Sequence, residues 1–172
     1  MIDWDPTAYP HDVVQMQPWE IQQAGQVGTA RLVANLHKPD AKHYNRAAME
    51  SDWIAQPAAV LCEAAVAKHL GRYYDWSAWS ASQHDQHKAA ADLDGVEVRR
   101  VRTQPKVAVR YRDAAAARTV AAAYVDMDNP GTVLVYGFLH ALTVWNEWHA
   151  QSPPTTDYIR VPLDYQPLWR AA

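Results

Sequence analysis

From Val96 onward the residue pattern changes from helical to strand-like, and this change constrains the fold more than any other feature of the chain. Val96–Arg102, Val107–Arg112, Thr119–Val125 and Thr132–Leu139 are four short runs rich in β-branched residues. Short connections separate them. Pro105 lies in the first, Asp113–Ala117 fills the second with alanines that also suit a helical turn, and Asn129-Pro130-Gly131 marks the third as a turn.

The stretch before Val96 reads differently. Pro18 opens a helix that runs to about Leu36, with Trp19, Val27, Ala30 and Val33 near one face, and Gly25 and Gly28 weaken it. Arg46–Ile54 suits a short helix, and Pro57 then marks a kink or the first turn of a new helix. Pro57–Leu70 is alanine-rich, has Gly71 where a C-terminal cap belongs, and carries Lys68, His69 and Arg72 near its negative end. Tyr73–Trp79 suits a short strand and Ser80–Ala91 a polar loop. Late in the chain, Thr143–Ala150 suits a short helix and Tyr158–Leu163 an edge strand.

Helices first and strands second predict an α/β protein of the α+β kind, with N-terminal helices packed on a mixed, mainly antiparallel sheet. The 172 residues are enough for one domain with its own core. Residues 1–17 read as an extended arm, 18–90 as a mainly helical part, and 91–172 as a sheet-rich part.

Hydrophobic residues make up 49% and charged residues 20%, a globular rather than disordered balance. A single cysteine, Cys62, allows no internal disulfide. Asp3 and Asp5 near the start, with no basic-then-apolar leader and no long apolar run, lead us to expect a cytoplasmic protein. The net charge of −3 argues against an indiscriminate nucleic-acid coat but leaves room for a local basic site. The chain has no GxSxG, no phosphate-loop GxxxxGK, no dinucleotide GxGxxG and no paired CxxC.

Three features carry chemistry. Glu63 is the only charged residue between Pro57 and Lys68 and shares a helical face with Val60, Ala67 and Leu70. A carboxylate placed there needs a partner, whether a metal, a basic side chain such as an arginine, or a hydrogen-bonding loop. Next comes Asp92-Leu93-Asp94-Gly95-Val96-Glu97-Val98-Arg99. Asp94-Gly95 suggests a tight turn, and strand alternation projects Glu97 and Arg99 from one face. Asp92 and Glu97 then suit one hard divalent cation, with Asp94 in place of Asp92 if the register differs. The simpler alternative is a hairpin with a Glu–Arg surface pair. The third feature is a basic run: Arg99, Arg100, Arg102, Lys106, Arg110 and Arg112 follow without an acid between Glu97 and Asp113. In a β-hairpin these groups grip a phosphodiester, or else form a solvated face and partners for the acids already named.

A helix glutamate, then an aspartate, then Glu-x-Lys on a strand is the signature of the PD-(D/E)XK nuclease superfamily, and Glu63, Asp92 or Asp94, Glu97 and Arg99 resemble it. The strings 62–68 and 92–99 are also similar to small phage-encoded proteins of that type, over about Trp19 to Leu163. The resemblance implies a helix on a mixed sheet, a Mg²⁺ or Mn²⁺ site at Asp92 and Glu97, and hydrolysis of a nucleic acid, DNA by preference. Glu63 is then an accessory acid, Arg99 the phosphate stabiliser, and Arg100, Arg102, Lys106 and Arg110 backbone contacts. Two residues depart from the pattern. Ala91 replaces the proline before Asp92, and Arg99 replaces the lysine. Arginine stays protonated and cannot serve as a base, which leaves open a non-cleaving nucleic-acid-binding descendant.

Other readings remain. His84-Asp85-Gln86-His87, with His37 and His43 elsewhere, is a weak zinc motif. Trp4 and Tyr9 near one end, and Tyr165 and Trp169 near the other, suit self-association or a host-protein interface.

Overall fold

The computed structural model describes residues 4–36, 52–78, 90–148 and 157–165. Among them are strands β1 (Asp12–Gln15), β2 (Val96–Arg100), β3 (Lys106–Arg110), β4 (Thr119–Val125), β5 (Thr132–His140) and β6 (Tyr158–Pro162). The α-helices are α1 (Pro18–Leu36), α2 (Asp52–His69), α3 (Tyr111–Ala115) and α4 (Ala141–Trp148), and a single 3-10 turn at Pro6–Ala8 completes the described regular structure. The fold is α+β, with four described α-helices, a mixed four-stranded sheet and a separate two-stranded one. No described helix is long and apolar enough to cross a membrane.

The main sheet has the order β1-β5-β4-β2, antiparallel except for the parallel pair β2–β4. One face packs on α1 and α2, burying Val60, Val66, Val96, Val98, Ala121 and Ala123 in one core. The opposite face is covered by β3, β6 and α4, which bury Val107, Val109, Ile159, Val144 and Trp145 against Val120, Ala122 and Leu139 in a second core. The sheet is therefore the middle layer, which explains why the alanines of β4 are buried on both sides.

Several expectations are corrected here. β2 and β3 do not form a hairpin: β2 runs parallel to β4, and β3 pairs antiparallel with β6 in the second sheet. Parallel neighbours need a crossover connection, and residues 101–118, which include β3 and α3, supply it. Pro57 does not begin a helix but lies inside α2. The two helices expected around it are one from Asp52 onward, and residues 46–51 lie outside the described set. Gly28 accounts for the close passage of α1 at this point: a Cβ there would sit 2.4 Å from Pro57 N. A glycine that weakens a helix in isolation is what lets α1 and α2 touch backbone to backbone.

Residues 73–78 are irregular rather than a strand. The N-terminal arm is not free, since β1 pairs with β5. Trp4 and Tyr9 pack against the second core, and the Trp4 indole N–H donates to the Arg102 carbonyl at 3.0 Å. Tyr165 also packs there, edge-on to Trp148. Cys62 is a buried free thiol.

Candidate functional site

Glu63 projects from α2 and is buried, as its lone charge on an apolar face led us to expect. Its partner is an arginine. Arg31 Nη1 on α1 donates to Glu63 Oε2 at 2.8 Å, and the Tyr74 hydroxyl donates to the same oxygen at 2.5 Å. Arg31 Nη2 also donates to the Tyr74 oxygen at 3.2 Å. Burial, then the Glu63 charge beside it, holds the Tyr74 phenol far above its usual range, so it stays a donor. The irregular segment after α2 thus places Tyr74 on a buried ion pair joining the two helices.

The turn before β2 forms as expected. Leu93 and Val96 exchange backbone hydrogen bonds at 2.9 Å, and Gly95 takes a φ of 71°, a left-handed conformation that suits glycine. Asp94 is exposed, and its carbonyl, not its carboxylate, accepts from Arg72 Nη1 at 2.8 Å. Asp92 lies along the outer edge of β2, where its Oδ2 accepts the Val98 N–H at 2.8 Å. Burial, and then the charges of Glu63 and Glu97, push the Asp92 carboxyl up to about 7, against the pull of the Val98 N–H and Arg99.

Glu97 and Arg99 share a face, but it is the face turned away from α2. Val96 and Val98 lie in the helix-side core, while Glu97 and Arg99 align with Val120 and Ala122, which lie in the second core. The sheet therefore separates Glu63 from Glu97, with Asp92 at the edge. Arg100 falls on the helix side by the same alternation, in register with Ala123.

Glu97 is the centre of a buried ion cluster. Arg99 Nη1 donates to its Oε1, Arg112 Nη2 to the same oxygen at 3.4 Å, and Arg118 Nη1 to Oε2 at 3.3 Å. The second acid is Asp113, which has no solvent exposure. Its Oδ2 accepts from Arg99 Nη2 at 2.7 Å and from the Arg110 N–H at 3.1 Å, and its Oδ1 lies 3.5 Å from Arg118 Nη1. The local chain dictates this arrangement. Asp113 is the third residue of α3 and caps its N-terminus, as acids in a first turn do. Beyond α3, Ala117 takes a φ of 49° and the Arg118 N–H returns to the Asp113 carbonyl at 2.9 Å, which turns Arg118 back onto Glu97.

Of the expected phosphate contacts, Lys106 and Arg110 are exposed on β3, Arg102 is exposed beyond β2, and Arg100 is half-buried. Packing around the Arg110 guanidinium, and then the charges of Arg99 and Arg112, hold it below the usual arginine range. It therefore belongs to the electrostatic neighbourhood of the cluster. Asp113 and Arg118 were not among the expected site residues. The available signal was Asp113 itself, the acid that ends the basic run three residues after Arg110.

The fit of a divalent cation can be judged from these contacts. Both oxygens of Glu97 accept from guanidiniums, Asp92 accepts from the backbone, and Glu63 is held by Arg31 and Tyr74. Among the described residues, no group of three or more His, Cys, Asp or Glu is placed to hold a metal ion. The arrangement as it stands does not fit a Mg²⁺ or Mn²⁺ site. His37, His43, His84 and His87 lie outside the described residues.

No protein-family model, curated protein or solved structure matches this chain.

Proposed function

We propose that this protein binds the phosphodiester backbone of a nucleic acid, DNA by preference, at the guanidinium cluster between β2, β3 and α3. The carrying observation is the charge balance at one place. Arg99, Arg112 and Arg118 contact Glu97 and Asp113, and the charges of Arg110 and Asp92 act on the same neighbourhood, which makes four cations to three acids among the described residues. The carboxylates of Glu97 and Asp113 orient the guanidiniums, and the positive excess is what a phosphodiester would neutralise. Arginine suits this role, because its planar fork matches paired phosphate oxygens and keeps its charge.

In this reading the protein binds without cutting. Glu97 serves as a buried counter-ion that positions arginines, and Arg99, where the PD-(D/E)XK pattern has lysine, joins it to Asp113.

A second reading is a PD-(D/E)XK-like, Mg²⁺- or Mn²⁺-dependent DNA nuclease, with Asp92 and Glu97 as ligands. One observation favours it: Asp92 is a crowded carboxyl whose charge is suppressed by burial and by its acidic neighbours, and a cation would relieve that crowding. This reading requires Glu97 to release at least one guanidinium.

Incubation of labelled single- and double-stranded DNA with the protein in Mg²⁺, Mn²⁺ or EDTA separates the two. Binding in EDTA with intact DNA in every metal supports the first. Metal-dependent cutting that disappears in Glu97→Gln overturns it in favour of the second.

A further inference from the structure

The two-stranded sheet is amphipathic, and its outer side has a distinct composition. Val107, Val109, Ile159 and Val161 point inward and are buried. The register pairs the outward positions as Lys106 with Pro162, Ala108 with Arg160, and Arg110 with Tyr158. Lys106, Arg110, Tyr158 and Arg160 are all exposed, and the six outward positions hold three cations and no acid. The Arg160 guanidinium lies over the Tyr158 ring, 5.6 Å from its centroid. Tyr111, which follows Arg110, is 61% exposed, and its N–H donates to the carbonyl of Asp157, the neighbour of Tyr158. Two exposed tyrosines therefore stand at the same end of the ribbon, beside Arg110 and the guanidinium cluster.

We infer that this outer face of β3 and β6 is a docking surface for single-stranded nucleic acid, with Lys106, Arg110 and Arg160 on phosphates and Tyr158 and Tyr111 stacking on bases. The inference rests on the nucleic-acid reading above and extends it to a surface of defined chemistry. The occupant follows from complementarity. A basic face calls for a polyanion, and exposed planar rings add affinity only where the polyanion also offers free planar faces. A duplex keeps its base faces stacked internally, and an acidic peptide has none to offer at regular spacing. The surface side chains are spare in folding terms, because the inward positions carry the packing.

The test is fluorescence anisotropy with a labelled oligothymidylate and a blunt duplex of equal length, using the full chain and its Tyr158→Ala, Tyr158→Phe and Arg160→Ala variants. Thermal unfolding of each variant checks that the fold is kept. The expected result is tighter binding of the single strand than of the duplex. Tyr158→Ala weakens the single-strand complex about tenfold, and Tyr158→Phe does not. Arg160→Ala lowers the salt dependence by roughly 0.7 in the log–log slope. The inference is overturned if the wild type prefers the duplex, or if poly-glutamate competes as well as the oligonucleotide. It is also overturned, with the nucleic-acid reading left standing, if the wild type binds and Tyr158→Ala and Arg160→Ala bind equally well. Binding of neither DNA overturns both.

Discussion

Arg99 Nη2 donates to Asp113 Oδ2 at 2.7 Å, tying the edge strand of the main sheet to the short helix that follows β3. The pair sits where the crossover between two parallel strands must be held down, and Asp113 has no solvent exposure. Removing one partner of a buried pair leaves the other uncompensated. Asp113→Ala is expected to cost about 3–5 kcal/mol, since it also uncaps α3. Denaturant unfolding followed by circular dichroism measures it, and a loss under about 1 kcal/mol would mean the cluster contributes little to the fold.

The same logic applies on the other side of the sheet. Arg31→Met strands Glu63 against an apolar helix face and is expected to destabilise by about 3–5 kcal/mol, whereas Arg31→Met with Glu63→Leu restores much of the loss. Tyr74→Phe removes the hydroxyl's hydrogen bonds to Glu63 and from Arg31 but keeps the ion pair, and is expected to cost about 1–3 kcal/mol. A double mutant no more stable than Arg31→Met alone would contradict a role limited to charge pairing.

Gly28 and Gly25 make a controlled comparison within one helix. A Cβ at Gly28 meets Pro57 backbone at 2.4 Å, while one at Gly25 meets nothing within 4 Å. Gly25→Ala is expected to stabilise by roughly 0.5–1 kcal/mol. Gly28→Ala forces α1 away from α2 and is expected to destabilise by about 1–3 kcal/mol. Equal melting shifts for the two would rule out the close approach of the helices.

Asp92 gives stability a pH dependence. Its folded pKa of about 7 lies above its ordinary value of 3.8, so the folded state holds the proton over that interval and the unfolded state does not. Its contribution is full below about pH 4 and is lost as pH rises toward 7, at a slope of at most about 1.4 kcal/mol per pH unit. Asp92→Asn keeps a neutral side chain and is expected to flatten this part of the profile in EDTA buffer. An unchanged slope would show that Asp92 titrates normally.

Residue patterns revealed the elements better than their partners. α1 starts and ends where Pro18 and the apolar face put it, β4 keeps its expected bounds, and the Asp94-Gly95 turn forms. These features are local, set by proline, glycine and alternation. Pairing is not local. Val96–Arg100 and Lys106–Arg110 are separated by a connection that suits a hairpin, yet they lie in different sheets because Val101, Val107 and Val109 all belong to the second core. The candidate site was legible to the same degree. Burial of Glu63 and the shared face of Glu97 and Arg99 follow from period alone. The side of the sheet on which they fall depends on which strand β2 pairs with. Asp113 joins the cluster because it caps the start of α3, and Arg118 because the left-handed Ala117 just beyond α3 returns the chain to Glu97.

Arg112 offers the most direct test of the guanidinium cluster. Its side chain is 35% exposed, and its removal leaves Glu97 with Arg99 and Arg118, so Arg112→Met keeps the fold while removing one cation from the proposed phosphate site. The measurement is the affinity of labelled DNA for wild type and Arg112→Met across a salt series in EDTA. The account predicts weaker binding of all sequences alike and a salt slope reduced by about 1. Wild-type binding that Arg112→Met matches in both affinity and slope would contradict it.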